Sequence, residues 1–110
     1  MNIYAIWCDT EPGQDRAFTK AVHDYLGALK DAGHIGGFTF ERRKFGFGPE
    51  GLGEFQIRIE VKDLTQLDEA FNVVAHRSGP IEDLHAEVFR RTRNFKSALY
   101  RTFPDPQLEL

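Results

Sequence analysis

Cysteine is almost absent from this chain. Cys8 is the only one in 110 residues, which excludes an intrachain disulfide and any zinc cluster built on thiolates. A basic excess is missing too: 14 Lys and Arg stand against 17 Asp and Glu, for a net charge of −3. Such a chain has no surplus charge with which to neutralise a nucleic-acid backbone, so nucleic acid is not expected as a partner. Long apolar runs are also lacking. The opening MNIYAIWCDTEPG has no basic leader region and only a short apolar stretch, so neither a signal peptide nor a membrane span is expected, and a cytoplasmic setting is. The four histidines nowhere form H-x-x-x-H or H-x-H, so no metal is expected, and no motif announces a cofactor.

What the chain does have is 41% hydrophobic and 28% charged residues, the composition of an ordinary globular protein. Its length suits one core and leaves no room for a cofactor domain beside a substrate domain, so one domain over 1–110 is expected. Ile3 to Cys8 reads as a strand, ended by the turn residues DTEPG. Phe18, Val22, Tyr25, Leu26 and Leu29 recur at steps of three and four, predicting a helix from about Gln14 to Ala32 that stops at Gly33. From Gly37 the period becomes two, and Phe55, Ile57, Ile59 and Val61 alternate with Gln56, Arg58 and Glu60. Both segments read as strands.

Asp63 is a candidate N-cap for a helix carrying Leu64, Leu67, Phe71 and Val74 and ending at Ser78-Gly79. Pro80 suits the first position of a third helix, which carries Ile81, Leu84, His85, Val88 and Phe89 and runs to about Arg91. Phe95 to Phe103 reads as a closing strand, and residues 103–110 as a C-terminal extension. The order is βαββαβ with a short extra helix, an α+β class with a four-stranded antiparallel sheet in the split βαβ arrangement of ferredoxin-like domains.

Two amphipathic helices would cover one sheet face, to which Phe38, Phe40, Phe55, Ile57, Ile59 and Val61 contribute. The bare face would carry Thr39, Glu41, Arg43, Gln56, Arg58 and Glu60, with either Tyr4, Ile6 and Cys8 or Ile3, Ala5 and Trp7 from the first strand. Such a face is either wet or covered by a second subunit. Its charges would form cross-strand ion pairs, or Arg43 and Arg58 would receive a carboxylate-bearing ligand.

Glycines 46, 48, 51 and 53 have the spacing G-x-G-x-x-G-x-G, which raises the question of a phosphate cradle. That chemistry needs backbone N–H groups converging at a helix N-terminus. Here a strand follows, so the expectation is a hairpin loop with glycines at positive φ, its Phe45 and Phe47 free to pack on a partner or over a pocket. His85, beside Leu84 and Val88, is either a half-buried packing residue or an acid/base, since an imidazole exchanges a proton near neutral pH. Cys8 reads as packing, with no basic neighbour to activate it.

NIYAIWCD at the start, RRKFGFGP-x-x-LGEF in the middle and ALYRTFPDP near the end are the stretches by which the chain resembles the dimeric α/β-barrel superfamily of ferredoxin-like proteins. More narrowly it resembles small uncharacterised proteins with those signatures. The resemblance implies a homodimer with ligands in a cleft between sheet and helices or inside the barrel. Members include cofactor-free monooxygenases, haem-degrading enzymes, lactone isomerases and stress-response proteins, so the likeness fixes no reaction. The Asn, Trp and His of the haem-degrading members have no position-by-position match here. The expected function is binding of a small organic molecule, with Tyr4, Trp7, Arg43, Arg58 and Tyr100 as ligand-binding groups and His85 as the candidate catalytic residue. A cofactor-independent monooxygenase or isomerase, and a purely structural or regulatory dimer, are the alternatives.

Overall fold

A computed structural model describes residues 1–75 and 79–104 of the chain. The elements run β1 (Asn2–Thr10), α1 (Asp15–Asp31), β2 (Gly37–Arg42), β3 (Phe55–Val61), α2 (Leu64–Ala75), α3 (Pro80–Phe89) and β4 (Thr92–Arg101). The four strands form one antiparallel sheet in the order β2-β3-β1-β4. No helix among the described residues is long and apolar enough to cross a membrane.

The apolar stripe of α1 builds the core. Phe18, Val22, Leu26 and Leu29 are all buried against Cys8, Phe55, Ile57, Ile59 and Val61, and each such side chain contributes about 1.5–3 kcal/mol by leaving water. The Phe18 ring lies 5.3 Å from that of Phe55 and 6.0 Å from that of Phe40. Gly33, at φ +79°, ends the helix: its N–H bonds to the Lys30 carbonyl (3.0 Å) and that of His34 to the Leu29 carbonyl (2.9 Å). This paired closure needs a left-handed residue, which is why the helix stops at a glycine.

Register settles which way β1 faces. Tyr4 pairs with Ile59, Ile6 with Ile57 and Cys8 with Phe55, so these three join the helix-covered face. Ile3, Ala5 and Trp7 therefore lie on the open face, opposite Glu60, Arg58 and Gln56 on β3 and Tyr100, Ala98 and Lys96 on β4. Ala5 is only 1% exposed there, between Arg58 of β3 and Ala98 of β4.

Two ends differ from the periodicity. β4 begins at Thr92 rather than Phe95, because its register against β1 shifts between Trp7 and Asp9, with Asn94 at φ 54°. The bulge breaks the alternation that would have announced the strand. β4 also ends at Arg101 instead of Phe103, where the Thr102 N–H bonds to the Met1 carbonyl (3.0 Å). The expected stop of α2 at Ser78 and the extension beyond Pro104 fall outside the described residues.

Candidate functional site

α1 occupies the β2–β3 side of the sheet, and α3 packs on α1 with few contacts to the sheet itself. Space is left over β1 and β4. It forms a cavity of about 700 Å³, walled by Tyr4 and Ile6 of β1, Tyr25 of α1, Phe71 of α2, His85 and Phe89 of α3 and Phe95 of β4. The volume is in the range of ligand pockets, about 300–1,000 Å³, and the wall is predominantly apolar as in such pockets.

The rings are arranged edge to face or tilted. Tyr25 and His85 have centroids 5.3 Å apart, His85 and Phe89 6.0 Å, and Tyr4 and Phe71 5.5 Å with planes at 84°. Behind the imidazole, Glu82 Oε2 lies 3.7 Å from His85 Nδ1, one helical turn away. Burial first, then the negative charge of Glu82 and the neighbouring Tyr4, push the Tyr25 hydroxyl above the ordinary tyrosine range, so it stays protonated. Arg90, Arg93 and Asn94 stand at one mouth of the cavity, already engaged with Glu87 (2.9 Å), Glu11 and Asp9 (3.0 Å).

Of the residues proposed from sequence, the cavity brings together Tyr4 and His85. Trp7, Arg58 and Tyr100 do not reach it, because strand alternation places them on the opposite face of the sheet, and Arg43, just after the end of β2, is turned to the loop backbone instead. The aligned register also shows why sequence could not separate them: one residue of slip would have exchanged Trp7 for Tyr4.

Trp7 and Arg43 meet in a smaller cavity of about 190 Å³ beneath the glycine loop. Trp7 Nε1 donates to Gln56 Oε1 (2.9 Å), and Gln56 Nε2 donates to Glu41 Oε1 (3.1 Å). Arg43 Nη2 donates to the carbonyls of Leu52 (2.7 Å) and Gly53 (3.3 Å), and Lys96 Nζ to that of Gly51. Two cations are thus spent on the loop backbone, and the cross-strand ion pairs expected among Arg43, Arg58, Glu41 and Glu60 do not form among the described residues. The loop joins two antiparallel strands, with Gly46 and Gly51 at positive φ and Phe45 and Phe47 82% and 81% exposed. Arg58 lies between Ala5 and Thr39, and Tyr100 beside Ile3, both exposed.

The remaining candidates are placed elsewhere. His23 packs on Phe38 and Phe40, with ring centroids at 5.5 and 5.7 Å. His34 lies in the turn after α1, and His76 and Ser78 are outside the described residues. Among the described residues no three His, Cys, Asp or Glu side chains converge as metal ligands would. Burial, with Asp9 beside it, pushes the Cys8 thiol up to about 11, so it is a packed thiol at neutral pH.

Sequence reasoning missed Tyr25, Glu82, Phe71, Phe89 and Phe95 as parts of one site. Tyr25 shares the apolar stripe of α1, and its signal was a hydroxyl among aliphatic core positions. The others come from three separate elements, and only the packing joins them.

Residues 1–109 match DUF6614, a family of unknown function. No curated protein matches the sequence. Among solved structures, the chain resembles the Arabidopsis thaliana protein At3g17210 (TM-score 0.72, 7% identity), covering 96% of this chain and 98% of that one. It also resembles a dimeric ferredoxin-like protein of unknown function from Jannaschia sp. CCS1 (TM-score 0.67, 10% identity; 92% and 98% covered). An antibiotic biosynthesis monooxygenase is similar at TM-score 0.63 and 12% identity, with 94% and 100% covered. At these identities the likeness establishes the ferredoxin-like α+β fold and nothing about chemistry.

Proposed function

The chain belongs to DUF6614, and from its geometry we propose that it is a homodimer binding a small, largely apolar organic molecule in the cleft between sheet and helices. The observation that carries this reading is the cavity of about 700 Å³ whose aromatic wall contains Tyr4, Tyr25 and His85. An apolar space with a few polar groups set into one side favours a ligand that is mostly hydrophobic and is oriented by one or two hydrogen bonds. Tyr4 and His85 are its contacts to that ligand, with Glu82 orienting the imidazole. The dimer reading is supported by the dimeric state of the Jannaschia protein, which shares the fold, and by the open sheet face. On that face Trp7, Arg58 and Tyr100 then serve the meeting of two subunits rather than the ligand.

Native mass spectrometry of freshly purified protein tests both parts. A dimer that carries extra mass, released as an apolar molecule on denaturation, is the expected result. Failure of the chain to retain or take up any apolar small molecule overturns the cavity reading, and a monomer at micromolar concentration overturns the dimer.

A further inference from the structure

The cavity has a polar group whose hydrogen bond is unspent. Among the described residues nothing accepts a hydrogen bond from the Tyr25 hydroxyl, and no fully sealed side-chain polar atom is left without a partner. The unpaired hydroxyl therefore reaches open space, and the space its side chain lines is the cavity. Tyr25 is half-buried, and in a wall that is otherwise largely apolar its hydroxyl is free to donate. A bound oxygen that accepted the hydrogen bond would take the place of water there.

Charge narrows the ligand further. Glu82 acts on Tyr25 electrostatically and lies 3.7 Å from the His85 imidazole, so a second negative charge placed beside the hydroxyl would be repelled. The arginines at the mouth are held by Glu87 and Glu11 and offer little to offset that repulsion. The rings of His85, Phe89 and Phe71 line the same cavity, His85 directly beside Tyr25, and such a wall suits a flat aromatic body.

We propose that Tyr25 is the specificity-determining anchor of the cleft, donating its O–H to a neutral acceptor oxygen on an aromatic ligand of the aryl ketone type. This rests on the reading of the cleft as a small-molecule site and adds the ligand's chemical class to it.

The test measures dissociation constants of three matched probes by fluorescence: 2-acetylnaphthalene, 2-ethylnaphthalene and 2-naphthoate, on the full chain and on Tyr25→Phe. The ketone is expected to bind about fivefold more tightly than the hydrocarbon, the worth of one hydrogen bond, with the carboxylate weakest. In Tyr25→Phe the ketone should fall to the level of the hydrocarbon, while hydrocarbon binding stays unchanged and shows that the cavity is intact. Equal binding of ketone and hydrocarbon by the unaltered chain, or a ketone preference that survives in Tyr25→Phe, overturns the anchor and leaves the apolar cavity standing. Binding of none of the probes removes the cavity reading as well.

Discussion

Asp9 accepts a hydrogen bond from Asn94 Nδ2 (3.0 Å) and another from the Glu54 backbone N–H (2.8 Å). Those bonds, in that order, hold its carboxyl below the usual carboxylate range, against a smaller opposing effect of burial. Because the folded value is the lower one, Asp9 contributes stability that is complete above the unfolded value near pH 4 and is lost as pH falls through the folded value. Urea unfolding followed from about pH 5 to 2 should therefore show the unaltered chain losing more stability than Asp9→Asn; parallel curves would remove the role. Neighbouring Gly53 is equally local in its cause: a Cβ there would stand 2.4 Å from the Cys8 carbonyl carbon, so only glycine lets the loop close on β1. None of this was legible beforehand. Asp9 read as a turn residue and Gly53 as a φ requirement, since the partner of each lies more than forty positions away.

The helices differ in how firmly they are held. α1 buries Phe18, Ala21, Val22, Leu26 and Leu29, α2 buries Leu67 and Ala70, and α3 buries no residue fully. Stability within a fold follows such differences in burial. Amide hydrogen exchange should accordingly be faster across α3 than across α1, and binding of an apolar probe should slow exchange in α3, whose His85 and Phe89 line the cavity. Uniform protection of all three helices, or no change on binding, would contradict this. At this scale the sequence was most readable where one period ran unbroken: β3 occupies Phe55–Val61 as its alternation predicts. It was least readable at β4, where the bulge at Asn94 hides the first residues.

At the scale of the whole molecule, the proposed dimer is the one in which two open sheet faces meet. Ala98 sits opposite Ala5 on that face, on the edge strand β4, where an added carboxylate would have to give up its water in a sheet-to-sheet dimer. Sedimentation of Ala98→Asp should show a monomer whose circular dichroism matches that of the unaltered chain; a persistent dimer would move the interface elsewhere. The exposed Phe45 and Phe47 at the loop remain with the same face, since Arg43 and Lys96 tie the loop down there.

Periodicity is a local property, and it was enough for the class, the element order and the apolar stripes that each helix and strand would bury. Even the split of charged and apolar residues between β2 and β3 followed from alternation alone. Facing was different. Whether Tyr4 or Trp7 entered the cleft depended on the register of β1 between two partners distant in sequence, and register is fixed by pairing across the sheet. The cavity depended on more still: α3 settles on α1 instead of on the sheet, and that docking brings Tyr25 and His85 to one wall with Glu82 next to the imidazole. No spacing within a single segment encodes that meeting, because it is decided by which surfaces exclude water when the elements pack.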